Sequence, residues 1–174
     1  MAAETIFGYP TESAPMIGTG QSLLEIGLNL FRTQKTHGFL HCLWMFLTRR
    51  CACLRSFDDA VAGSRIESSH SVGTRPVPIH KIRGSLGKTG EFDDQFHPRR
   101  EEDRSRWLSV AIARLSGSDL PAVDLIELDG FYYVRDGHHR ISVAQALGQQ
   151  YIDAEITRMH IQKLGQVSES IPLN

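Results

Sequence analysis

Residues 129–140 read DGFYYVRDGHHR. Two Asp-Gly pairs bracket a short aromatic segment, and each predicts a different turn. Upstream, PAVDLIEL (121–128) has the apolar density of a strand. Asp129-Gly130 is then the two-residue turn of a tight hairpin, with FYYVR as the returning strand. Downstream, ISVAQALG (141–148) places Ile141, Ala144 and Leu147 at helical spacing, with Gly148 as a C-cap. Asp136-Gly137 therefore stands between the end of a strand and the start of a helix. Gly137 permits a backbone conformation that other residues resist. The first amides of a helix have no internal partner, and such a start attracts anions, phosphate above all. Arg140 adds a planar fork of donors suited to phosphate oxygens. His138 and His139 add donors or proton carriers. Asp136 could hold a divalent cation, accept a proton or cap the helix. Each residue alone reads as an ordinary cap, packed imidazole or ion pair; together they read as a phosphate site.

Outward from this turn the pattern continues. VPIHKI (77–82) alternates apolar and polar residues, as a strand does. A Gly-rich, charged loop follows, GSLGKTGEFDDQFHPRR (84–100). A helix from about Glu101 to Ser116 carries Trp107, Leu108, Ala111, Ile112 and Leu115 on one stripe, and Gly117 is placed to end it. YIDAEIT (151–157) alternates again and closes the order strand, loop, helix, hairpin, turn, helix, strand. Earlier in the chain, residues 1–19 are punctuated by Gly, Pro, Ser and Thr and read as loose. Residues 20–64 read as helical, with Ser56 and Asp59 opening a short helix that ends at Gly63. Residues 64–75 (SRIESSHSVGTR) have the polar, small composition of a linker. The expected division is a helical extension and linker over 1–75, an α+β domain over 76–160, and a tail over 161–174.

Bulk composition narrows the function. The 174 residues are 41% hydrophobic and 22% charged, which suits one packed domain with an extension. A formal net charge of -1 does not support a protein that grips duplex DNA by its backbone. Cys42, Cys51 and Cys53 are an odd set, and the N-terminus lacks a basic start followed by an apolar run, so a secreted disulfide scaffold is not expected. The longest apolar stretch, Phe39 to Leu47, falls well short of the ~20 residues of a membrane span. The expectation is a cytoplasmic protein, with the Phe39–Leu47 face packed on the core or on a second subunit as a homodimer through the N-terminal helices.

GSLGKTG (84–90) imitates a Walker A loop, but that pattern needs glycine at position 82, where Ile82 stands. The loop could instead fold over the phosphate site, with Lys88 and Arg83 supplying charge. Glu91, Asp93 and Asp94 could bind Mg2+ beside a triphosphate, although such runs are more often solvated. Arg99 and Arg100 are further phosphate candidates. His37, His41, Cys42, Cys51 and Cys53 fit no standard zinc spacing and read as ordinary imidazoles and thiols.

The stretch from Val77 to Thr157 resembles the ParB/sulfiredoxin-like fold. The VPIHKI strand, the RSRWLSVAIARL helix, the LPAVDLIELDGFYYV hairpin and the DGHHRISVAQALG turn-helix come in that family's order. The resemblance covers about half the chain and implies a Gly-x-x-Arg turn that binds a nucleotide phosphate, here Gly137 and Arg140. Sulfiredoxins carry a reactive cysteine where this chain has His138, so sulfinic-acid repair is not expected. Chromosome-partitioning ParB proteins carry Gly-Glu-Arg-Arg and bind CTP; here His138 and His139 intervene, and too little chain follows for a helix-turn-helix domain. The Asp-Gly-His-His-Arg string is similar to that of free-serine kinases of this fold. In those enzymes the motif works with the nucleotide phosphates and a glutamate after the first strand acts as base; Glu91 lies in the matching loop.

These readings give one leading expectation. The chain binds a nucleotide (ATP, ADP or CTP) with Mg2+, and acts as a phosphotransferase or nucleoside triphosphatase. Gly137, His138, His139, Arg140 and Lys88 bind phosphate; Asp136 holds the metal or orients the acceptor; Glu91 or His139 serves as base. The rivals are a non-enzymatic regulatory or DNA-associated ParB-like module and a ParB-like nuclease.

Overall fold

In the computed structural model, residues 21–163 are described; the expected loose segment 1–19 and the tail from 164 onward lie outside them. Three helices and six strands matter here, with a short helix beside them. α1 (Leu23–Leu47) opens on a capping box. Glu25 N donates to Ser22 Oγ at 3.3 Å, and Ser22 N donates to the Glu25 carboxylate at 3.1 Å. The region expected to hold several helical pieces is thus one 25-residue helix followed by α2 (Phe57–Val61). No helix among the described residues is long and apolar enough to cross a membrane.

The sheet runs β1 (Arg55–Ser56), β3 (Ile82–Ser85), β5 (Phe131–Asp136), β4 (Val123–Leu128), β6 (Tyr151–Lys163), β2 (Ser64–Pro78) in spatial order. β1 with β3, β3 with β5, and β4 with β6 are parallel; β4 with β5 and β2 with β6 are antiparallel. The mixed sheet with helices matches the α+β expectation. In the hairpin, Leu128 pairs with Phe131, and Asp129 and Gly130 both take positive φ (50° and 79°), the requirement of a type I′ turn.

Two readings need correction. Residues 64–75 are not a linker: they belong to β2, which pairs with β6 from Ser64–Lys163 to Pro78–Tyr151. Their polar, mostly exposed side chains hid a strand held by its main-chain ladder rather than by an apolar face. VPIHKI is not one strand either. Val77-Pro78 ends β2, Ile79–Lys81 forms a 3-10 turn, and Ile82 begins β3.

On one face of the sheet, Val123, Leu125, Val134, Ala154 and Ile156 pack with Ile141 and Ala144 of α4 (His138–Ala146) and with Phe92 and Phe96 of the loop after β3. On the other, Ile126, Leu128 and Tyr133 pack under Phe57 of α2. A third cluster joins Phe31 of α1 to Trp107, Leu108 and Ala111 of α3 (Arg104–Leu115) and Val143 of α4. The Phe39–Leu47 face does not reach the core: Phe39, Leu40, Leu43, Trp44, Phe46 and Leu47 are all exposed.

Candidate functional site

The site is built where β5 gives way to α4. Gly137 is the N-cap of α4 and has φ 105°, the left-handed region that glycine enters without strain. A β-carbon there would sit 2.5 Å from Val123 Cγ1, so both backbone and packing require glycine. The turn aims His138 and His139 inward; their residues are only 3% and 6% exposed. The amides of His138, His139 and Arg140 open the helix and have no hydrogen-bond partner among the described residues, whereas Ile141 N donates to Gly137 O.

The two imidazoles have different surroundings. His138 Nε2 lies 2.6 Å from Ser85 Oγ at the end of β3, and Ser85 Oγ also accepts from Lys88 N at 3.3 Å. Phe92 stacks on the His138 ring at 5.9 Å and meets the His139 ring edge-on at 5.2 Å. Burial, then the nearby Lys88 charge, lowers the His138 pKa to about 4, so the ring is neutral near pH 7. His139 is also shifted down by burial, although Asp103 pulls the other way. Both ring nitrogens of His139 are buried and have no hydrogen-bond partner.

Around His139 stand two carboxylates from distant parts of the chain. Glu91 comes from the loop after β3, and Asp103 is the N-cap of α3. One ligand atom from each of Glu91, Asp103 and His139 falls within 4.8 Å of the others. Glu91 Oε2 and Asp103 Oδ2 are buried and accept no hydrogen bond; Lys88 Nζ is 3.3 Å from Glu91 Oε2, an ion pair without hydrogen-bond geometry. Asp103 escapes a reading of the sequence because the helix was expected to start near Glu101. That placement puts Asp103 inside the first turn instead of at its mouth. Its one local signal is its position just before the Trp107 stripe. Ser85 carries no signal at all.

The remaining residues are elsewhere or otherwise engaged. Arg140 does not offer a free fork to phosphate. Its Nη1 donates to Pro121 O (2.5 Å) and Ala122 O (2.7 Å), and its Nη2 to Asp136 Oδ2 (2.6 Å). Acceptors one helical turn back and at the entry to β4 capture the guanidinium at close range. Asp136 is spent on the same pair, with a side chain 66% exposed, and it belongs neither to the Glu91, Asp103 and His139 group nor to a second group of potential metal ligands among the described residues, His41, Asp93 and Asp94. A Mg2+ site centred on Asp136 therefore does not fit this geometry. The carboxylates at 91, 93 and 94 divide between two places: Glu91 stands with Asp103 and His139, Asp93 and Asp94 with His41. Asp93 accepts from His97 Nδ1 (2.8 Å), and Asp94 pairs with His41 Nε2 (2.7 Å). Arg83 lies over the Phe131 ring at 5.4 Å. The Arg99 carbonyl accepts from Lys35 Nζ at 3.0 Å.

In structure, the chain is similar to a sulfiredoxin. The match is to the crystal structure of sulfiredoxin from Arabidopsis thaliana, with 28% identity over 48% of this chain and 82% of that one, and a TM-score of 0.37. No family model matches the chain, and no curated protein matches it. The cysteines of this chain, Cys42, Cys51 and Cys53, are free and lie outside the 136–140 turn.

Proposed function

We propose that this chain is a ParB/sulfiredoxin-like nucleotide-binding protein that takes the phosphates of ATP, ADP or CTP at the start of α4, with phosphoryl transfer or nucleoside triphosphate hydrolysis as its reaction. The observation that carries this reading is the set of open amides at His138, His139 and Arg140 behind a left-handed Gly137. Open amides at a helix start take phosphate oxygens through both hydrogen bonding and the helix dipole. Lys88, close enough to depress the pKa of His138, supplies a positive charge whose partner, Glu91, holds it without a hydrogen bond, whereas Arg140 is hydrogen-bonded by its own chain. In this reading Glu91, which lies near His139, accepts the proton of an incoming hydroxyl. Arg140 positions the turn without touching the ligand. The loop carrying Lys88, Glu91 and Phe92 lies against both imidazoles, so ligand entry requires that loop to shift.

Calorimetric titration with ATP, ADP and CTP tests the reading. Binding of at least one nucleotide, weakened about tenfold by Lys88→Ala, is expected. Failure of all three to bind, with inorganic triphosphate failing as well, overturns it. Phosphate release or phosphorylation of free serine then identifies an enzyme. Binding without turnover identifies the regulatory module instead, and cleavage of DNA the nuclease.

A further inference from the structure

Three buried polar groups without hydrogen-bond partners in one place are unusual. An unpartnered buried acceptor costs roughly 1–3 kcal/mol, and more when it carries charge. Glu91 Oε2, Asp103 Oδ2 and the His139 ring nitrogens each carry that cost, and one ligand atom from each of the three residues lies within 4.8 Å of the others. His139 is 94% buried and the Phe92 edge holds its ring. Lys88 and Arg106 are the cations that bear on this cluster. Lys88 ion-pairs with Glu91 but makes no hydrogen bond to it, and it leaves Asp103 and His139 unanswered.

We propose that Glu91, Asp103 and His139 form a divalent transition-metal site that takes Mn2+ or Zn2+ in preference to Mg2+. A cation between the three would give one ligand atom of each residue a partner at once. The donor set decides the class of ion. Mg2+ favours an all-oxygen octahedron and keeps its waters, whereas a neutral imidazole suits ions from Mn2+ to Zn2+. Burial disfavours the protonated His139 ring, although Asp103 pulls the other way, and the neutral ring is the form that binds metal. Three protein ligands also leave a coordination position open, the pattern of catalytic rather than structural sites. The ligands come from the loop after β3, the mouth of α3 and the first turn of α4, so a bound ion would tie three separate segments together.

This inference rests on the phosphate reading only for the ion's task; the site itself stands without a nucleotide. The experiment is titration of the whole metal-stripped chain with MnCl2, ZnCl2 and MgCl2 and no nucleotide present. Mn2+ is followed by loss of its free-ion resonance and Zn2+ by calorimetry. One Mn2+ or Zn2+ per chain is expected, at least about tenfold tighter than Mg2+. Asp103→Asn and Glu91→Gln, which preserve shape, weaken it by about tenfold or more, as does His139→Ala once circular dichroism shows it folded. His41→Ala and a Cys51→Ser/Cys53→Ser double variant report on the other candidate ligands and leave binding unchanged. Absence of binding, equal affinity for Mg2+, or loss of binding only in those last variants overturns the site. Metal binding without nucleotide binding leaves this site standing and removes the phosphate reading; nucleotide binding without metal does the reverse.

Discussion

Ser85 Oγ and His138 Nε2 lie 2.6 Å apart, on residues that are 0% and 3% exposed. The sheet end thereby holds a neutral imidazole under the first turn of α4. In the unfolded chain this ring titrates near 6.5, and in the folded protein near 4. Between those values the unfolded chain binds more protons, so acid favours unfolding. Stability is therefore full above pH 6.5 and falls as the pH drops towards 4, by on the order of 3 kcal/mol at the limit. Urea unfolding in chelator at pH 7.5, 6, 5 and 4.5 measures the decline. Replacing His138 with Gln flattens it; an unchanged slope in that variant would mean other groups carry the acid sensitivity.

Gly137→Ala is expected to be among the costliest small substitutions in the chain. The new β-carbon meets Val123 Cγ1 at 2.5 Å and Val123 Cβ at 2.8 Å while the backbone stays at φ 105°. Left-handed strain and overpacking together cost about 2–5 kcal/mol. Gly148, with φ 73° and nothing within 4 Å of a β-carbon, serves as the comparison. Gly148→Ala loses only about 1–2 kcal/mol, from backbone strain alone. Equal losses at the two positions, measured by denaturant midpoints, would remove Val123 from the explanation.

Arg140→Ala should unfold more easily, by about 2–4 kcal/mol, because the carbonyls of Pro121 and Ala122 lose a charged donor at the entry to β4. Asp136→Asn, at a side chain 66% exposed, should change stability by less than about 1 kcal/mol. Thermal melts of the two variants decide the matter. An Arg140→Ala protein of unaltered stability would show that the guanidinium is not a structural clamp.

Trp107 Nε1 donates to Ser142 Oγ at 2.9 Å, joining α3 to α4 inside the protein. Ser142→Ala leaves that indole N–H without a partner at a residue 0% exposed, which costs about 1–3 kcal/mol. Because Asp103 caps α3 and Gly137 caps α4, the same change should also loosen the approach of Asp103 to His139. Hydrogen exchange at both helix starts, faster in the variant than in the parent, is the expected result; unchanged exchange would separate the bond from the site.

Local chemistry made much of this molecule legible before any tertiary contact. The Asp129-Gly130 turn, the inward stripe of α3 and the switch from strand to helix at Gly137 each depend on residues within a few positions of one another. The tertiary structure alone decided three other matters. β2 is a strand because β6 pairs with its main chain from as far away as the Ser64–Lys163 pair, which no side-chain pattern announces. Arg140 turned out to be occupied because the Pro121 and Ala122 carbonyls come to it across the fold. Asp103 joined Glu91 and His139 because packing of α3 on α4 carries one helix mouth to the other. Turns and helix stripes are written in nearest neighbours, whereas convergence of distant side chains is set by how the whole chain closes around its core.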